Sequence, residues 1–255
     1  MKGMRAAIAA AVIVAAAALI LVGVVSFGGT DSSAQIVLPT ETQTVSATTS
    51  ETEDSGSSFV EITADNVQTV LQTLSPPTCY YQALTVERAV DGISSIQTVQ
   101  IWRREELYQI EITTEGQDTL HYLTDGETLY LWYDGDDTAL QTTLPEGWCA
   151  EDLAGIPSLE DALALKDTEI LDAATAEPGG FAGVTCVYLQ YTAGEGQEEY
   201  LWISLDSGLP VQAHTVMDGS LTCRTVQTEL QTLTATDASF DGCFILLDGT
   251  SFDGS

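Results

Sequence analysis

Residues 199–228, EYLWISLDSGLPVQAHTVMDGSLTCRTVQT, decide the fold. They read as three antiparallel strands, Tyr200 to Leu205, Leu209 to Met217 and Ser220 to Thr228, joined at Asp206-Ser207-Gly208 and at Asp218-Gly219. A two-residue Asp-Gly connection takes positive φ at both positions, and that mirror-image turn matches the right-handed twist of the strands it joins. In the first strand Leu201, Ile203 and Leu205 alternate with Tyr200 and Trp202, so both faces are apolar and neither suits open water. Some cover, whether helix, second sheet or ligand, must lie over this meander.

The same turn chemistry recurs upstream. Tyr80 to Val90, Ser95 to Arg103, Leu107 to Thr114, Thr119 to Thr124 and Glu127 to Tyr133 are punctuated by Asp91-Gly92, Gly116, Asp125-Gly126 and Asp134-Gly135. Strands broken by turns at this regular spacing predict an antiparallel barrel or curved sheet. Tyr108, Ile110 and Ile112 alternate with Gln109, Glu111 and Thr113, which makes one face of the third strand dry and the other wet. Before the strands, Val67, Val70, Leu71 and Leu74 form an i, i+3, i+4, i+7 stripe on a helix that Thr63 or Asp65 can cap and that Pro76-Pro77 ends. After a short strand near Thr138 to Thr143, Leu153 to Lys166 predicts a second helix, with Ser158 as a cap and Glu160 and Asp161 in the first turn. Further strands follow from Val184 to Tyr191, through the meander, and end near Cys243 to Leu247. No internal repeat of fixed period is present.

Charge narrows the partners. The 255 residues carry seven Lys and Arg against 38 Asp and Glu, a formal net charge of -31. Lys2 and Arg5 precede every acidic residue, so the remainder is more lopsided still. Such a surface repels phosphate, which makes nucleic acid or an anionic bilayer surface a poor partner. With 44% hydrophobic residues, the chain is long enough for one sizeable core.

The amino terminus reads as a membrane anchor, residues 1–29. Ala6 to Phe27 carries no charge, and as a helix it would span about 33 Å, enough to cross a bilayer. That is long for a cleaved signal, although Ser32-Ser33-Ala34 offers a small-residue cleavage site. The basic head at Lys2 and Arg5 favours the cytoplasmic side and sends the rest outward, so the expected location is the cell membrane, single-pass, with the C-terminal domain extracellular. Residues 30–58, including TETQTVSATTSETEDSGSS, predict a disordered acidic Ser/Thr-rich linker. The folded domain is then 59–255.

Signals for chemistry are weak. The cysteines at 79, 149, 186, 223 and 243 would face an oxidising exterior, yet their number is odd and no two have zinc-finger spacing. Buried free thiols and disulfides both fit. His121 and His214 lie in expected strands, with no HExxH pair and no Gly-x-Ser-x-Gly elbow. Asp134, Asp136 and Asp137 lack the spacing of an EF-hand loop. No enzyme, no cofactor and no metal site is expected.

The order of elements, the hairpin Asp125-Gly126-Glu127-Thr128-Leu129-Tyr130-Leu131-Trp132-Tyr133-Asp134, the strand Tyr200-Leu201-Trp202-Ile203 with its turn Ser207-Gly208-Leu209-Pro210, and the closing Phe244-Ile245-Leu246-Leu247-Asp248-Gly249 together resemble the lipoprotein carrier superfamily of LolA and LolB. The likeness covers about residues 60 to 250 and is nearest to membrane-tethered extracellular members from Gram-positive bacteria, including spore-germination lipoproteins. It implies an α+β fold, a curved antiparallel half-barrel of about 10–11 strands with helices on its concave side. In the carriers that apolar cavity receives lipoprotein acyl chains.

Read from the residues alone, Tyr108, Ile110, Ile112, Leu129, Leu131, Leu201 and Ile203 line one apolar surface, with Trp132 and Trp202 at its rim or on the opposite face. A surface of this kind suits acyl chains, since each buried methylene contributes about 0.8 kcal/mol. The alternative is that these residues pack against the two expected helices and leave no space. The functional expectation is a non-catalytic binding domain for an apolar ligand, a lipid or a lipoprotein acyl chain; the alternative is a protein-interaction or sensory domain that uses the half-barrel as a scaffold.

Overall fold

The structure, a computed structural model, describes residues 61–90, 93–179 and 183–252. The expected anchor and linker, the Asp91-Gly92 turn and the domain's first residues lie outside the described set. Among the described residues no helix is long and apolar enough to cross a membrane.

Eleven strands form one open antiparallel sheet. In chain order they are β1 (Cys79–Val90), β2 (Ile93–Arg104), β3 (Leu107–Thr114), β4 (Leu120–Thr124), β5 (Thr128–Tyr133), β6 (Leu140–Thr143), β7 (Ile170–Ala176), β8 (Cys186–Gly194), β9 (Gln197–Ser204), β10 (Pro210–Met217) and β11 (Ser220–Thr232). Their spatial order is β6-β5-β4-β3-β2-β1-β11-β10-β9-β8-β7. The chain winds outward from β1 to the β6 edge, crosses to the β7 edge, and winds back until β11 pairs with β1. Every neighbour but that central pair is consecutive in sequence, which is why turn chemistry alone could place most of the sheet.

The meander from β9 to β11 forms as its residues dictate. At the β10–β11 turn Asp218 has φ 50° and Gly219 has φ 78°, the two positive values that an Asp-Gly hairpin turn needs. Side chains then alternate: Leu201 and Ile203 are fully buried on one face, while Trp202 packs with Tyr188 and His214 on the other.

Among the described residues, three short helices cover the face that carries Leu201 and Ile203. They are α1 (Val67–Leu71), α2 (Ala150–Ala154) and α3 (Leu159–Ala164). Val67 and Leu71 of α1 and Leu159 and Ala162 of α3 pack on Val187, Leu189, Leu201, Ile203 and Ala213 of β8, β9 and β10. Ala150 and Ala154 of α2, with Ile156, pack on Leu84, Val86, Val99, Ile101, Ile110 and Leu129 of β1, β2, β3 and β5. The covered face is thus two apolar clusters, one under each part of the helical layer.

Three expectations need correction. The segment from Leu153 to Lys166 is not one helix, because Gly155 takes φ 63° as a left-handed C-cap of α2 and Pro157 follows before Ser158 caps α3. The first helix is shorter than its apolar stripe and starts from Asn66, neither Thr63 nor Asp65. The closing stretch from Cys243 to Leu247 is no strand: apart from a single bridge between Ile245 and Ser251, it is irregular. Phe240, Phe244 and Phe252 of this tail instead cover Cys79, Leu107, Leu123 and Trp132 on the opposite face of the sheet. An aromatic residue that has a hydrophobic surface to cover gains as much from packing there as from joining a ladder.

Candidate functional site

Among the described residues, the cavities on the helix-covered side include a larger and a smaller one. The larger, about 620 Å³, sits between the α2–α3 connection and the ends of β1, β8, β9, β10 and β11. Ile156, Pro157, Leu165 and Tyr191 give it an apolar wall, and Asp152, Asp161, Glu169, Glu199 and Arg88 give it a polar one.

Arg88 is placed by phase. It follows Leu84 and Val86 on the same face of β1, so its stem runs under the helices and its head reaches the end of α2. One guanidinium nitrogen donates to the carbonyls of Ala154 at 2.9 Å and Gly155 at 3.1 Å. These are carbonyls that a helix end leaves without intrahelical donors. Nε reaches Gln97 Oε1 at 3.3 Å, and Nη1 lies 3.6 Å from Cys223 Sγ. The side chain therefore latches the helical layer to the sheet. No carboxylate pairs with it among the ion pairs of the described residues.

Glu199 lies on the cavity floor. Gln197 Nε2 donates to one of its carboxylate oxygens at 2.8 Å and Thr215 Oγ1 to the other at 2.9 Å. Burial nevertheless holds its pKa above the ordinary range, and the nearby Asp161 charge pushes the same way.

The smaller cavity, about 110 Å³, is lined by Tyr80, Arg103, Tyr108, Trp148, Cys149, Glu151 and Glu160 among others. Tyr108 meets Trp148 edge to face at 5.1 Å, and Arg103 stands over the Tyr108 ring at 5.1 Å. Glu151 is only 6% exposed although it sits in the first turn of α2. Desolvation raises its pKa to about 7 against lowering hydrogen bonds from its own backbone and the Cys149 thiol. The Cys149 thiol is pushed well up by burial and by the Glu151 charge. Tyr80 and Tyr108 stay neutral for the same first reason, with Tyr108 raised to about 12.

The residues singled out from sequence divide cleanly. Ile110, Ile112 and Leu129 are buried in the cluster under α2, with Leu131 packed against it. Leu201 and Ile203 are buried in the cluster under α1 and α3. Of these residues only Tyr108 lines either cavity. Trp132 and Trp202 fall on the opposite face, as strand alternation requires of neighbours of Leu131, Leu201 and Ile203. Trp132 lies beneath the phenylalanine tail and Trp202 between Tyr188 and His214. His121 is also away from the cavities, stacked on Trp132, with Nε2 2.9 Å from Asp134. His214 shares the Trp202 face, and burial lowers its pKa.

Arg88, Glu199 and Glu151 escaped the reading of the sequence, which noted Cys149 only as a thiol and Glu160 only as a first-turn acid. For Arg88 a signal existed: a scarce basic residue in phase with Leu84 and Val86. For Glu199 and Glu151 no local pattern marks them among 38 acidic side chains.

No protein-family model matches the chain, and no curated protein matches it. Solved structures do. An uncharacterized conserved protein from Thermus thermophilus is 12% identical with a TM-score of 0.44, over 73% of this chain and 94% of that one. MucB is 20% identical with a TM-score of 0.43, over 69% of this chain and 61% of that one. A LolA superfamily protein from Nitrosomonas europaea is 10% identical with a TM-score of 0.32, over 70% of this chain and 97% of that one.

Proposed function

We propose that residues 59–255 are a non-catalytic binding domain that takes an apolar ligand between its sheet and its helical layer, the sheet curving round the helices as a half-barrel. The observation that carries this reading is the cavity of about 620 Å³ between the ends of β1 and β8 to β11 and the α2–α3 connection. Its size lies in the range of small-ligand sites, roughly 300–1,000 Å³. Ile156, Pro157, Leu165 and Tyr191 supply the apolar wall for a chain of methylenes. Four carboxyl groups face one guanidinium there, so the ligand's polar end is neutral or cationic rather than anionic. The two buried apolar clusters are filled by the protein's own side chains, and a longer ligand enters them by lifting α2 and α3 off the sheet. These helices have five and six residues and owe their helicity to packing, so displacing them sacrifices little intrinsic helix stability.

In this reading residues 1–29 hold the domain at the cell membrane, with 30–58 as tether and the domain outside the cell. The full chain in nanodiscs doped with a lipid carrying a photoactivatable acyl chain tests it. Cross-links at Ile156, Leu165 or Tyr191, stronger with a zwitterionic than with an anionic headgroup, are expected. Cross-links confined to residues 1–29 would overturn it. A second reading, a scaffold for a protein partner, is favoured by the open β6 edge, whose residues Leu140–Thr143 are all exposed and uncharged. An exposed edge of that kind can accept another strand.

A further inference from the structure

We propose that Cys149, Glu151 and Glu160 bind one thiophilic divalent cation of the zinc class. The thiol sulfur and one carboxylate oxygen from each glutamate lie within 4.8 Å of one another, although the residues belong to different places in the helical layer: one precedes α2, one lies in its first turn, and one opens α3. All three line the same cavity of about 110 Å³, which leaves room for a water in a fourth position. One sulfur and two oxygens suit a borderline-soft ion, whereas calcium and magnesium take oxygen alone.

The second observation is Glu151 itself. Its carboxyl is more than nine-tenths buried, aimed into that cavity, and has no cationic partner among the ion pairs of the described residues. A buried carboxylate without a cation is costly, and a bound metal removes that cost. The one basic side chain on the cavity, Arg103, is otherwise engaged: it donates to the carbonyls of Glu105 at 3.1 Å and Pro77 at 3.4 Å and covers the Tyr108 ring. Asp152 is likewise committed, accepting from the Cys149 backbone N–H at 3.0 Å. Tyr80 and Tyr108 face the site as neutral phenols.

Zinc–sulfur bonds of about 2.3 Å and zinc–oxygen bonds of about 2.0–2.2 Å in tetrahedral array put the donors about 3.5 Å apart. The donors, within 4.8 Å of one another, therefore close by no more than about 1.3 Å, and rotation of the exposed Glu160 side chain brings its oxygen in. Binding displaces the thiol proton.

The full chain in detergent, reduced with a phosphine and stripped of metal, is titrated with Co²⁺. A thiolate-to-cobalt charge-transfer band should saturate at one equivalent and disappear on adding Zn²⁺. Cys149→Ser should abolish the band, Glu160→Gln should weaken Co²⁺ binding at least tenfold, and Cys243→Ser should leave it intact. Absence of the band in the folded chain, its survival in Cys149→Ser, or unchanged affinity in Glu160→Gln would overturn the proposal. Glu160 is exposed, so its variant keeps the test decisive even if Cys149→Ser disturbs the fold. The site stands independently of the apolar-ligand reading, since none of its donors lines the larger cavity.

Discussion

Replacing Glu151 by glutamine should make the protein more stable at neutral and alkaline pH and leave the acid side unchanged. Burial raises the carboxyl pKa from an ordinary 4.5 to about 7. Between those values the folded chain holds a proton that the unfolded chain has released, so stability falls as pH rises, and the fall is complete once pH passes the folded value. At about 1.36 kcal/mol per pKa unit the whole fall is on the order of 3 kcal/mol. Glutamine fills the same space and does not ionise. The variant should therefore match the wild type near pH 4 apart from a constant offset, and exceed it by on the order of 3 kcal/mol near pH 8. Urea titrations of both full-length proteins, in chelator and detergent at several pH values, read this difference. With a slope of about 2–3 kcal/mol per molar, the variant's midpoint should lie about 1 M higher on the alkaline side. Glu199, also raised by burial, depresses stability in the same direction, but it is common to both proteins and cancels. Two pH profiles that run parallel would refute the claim that burial outweighs the hydrogen bonds that Glu151 accepts.

Arg88→Met keeps the stem and removes the hydrogen bonds to Ala154 and Gly155, a loss of about 2 kcal/mol. Hydrogen exchange across α2 and α3 should quicken about thirtyfold; equal acceleration in β1 to β5 would show that Arg88 supports the whole fold and not the lid. Leu201→Ala should cost about 2–5 kcal/mol by urea denaturation, because Leu201 is fully buried between β9 and the helices. A loss below about 1 kcal/mol would show that the space under α1 and α3 is not packed.

Strand existence was legible because the signals are local. The Leu107–Thr114 strand agrees with the sequence reading to the residue, since its alternation is uninterrupted and turns bound it on both sides. The Ser158 cap was legible for the same reason: hydroxyl and acid three residues apart satisfy each other's backbone N–H groups, as Ser158 and Asp161 do. What local pattern leaves open is what lies above a strand. For Trp132 and Trp202 the sequence left open the rim or the opposite face, because an aromatic strand residue is equally at home on either face if something covers it. The cover for Trp132 is the phenylalanine tail, which local pattern read as a strand.

By itself the sequence determined the acidic balance, the succession of strands, the mirror-image turn at Asp218-Gly219 and the alternation that makes one face of the sheet apolar. Each of these depends on residues within one turn or one strand of each other. The pairing of β1 with β11, the seating of α2 and α3 over two separate clusters, the reach of Arg88 to the end of α2 and the meeting of Cys149, Glu151 and Glu160 were decided only by the tertiary structure. These join groups from different elements, whose distance apart is set by how the layers pack and leaves no trace in spacing along the chain.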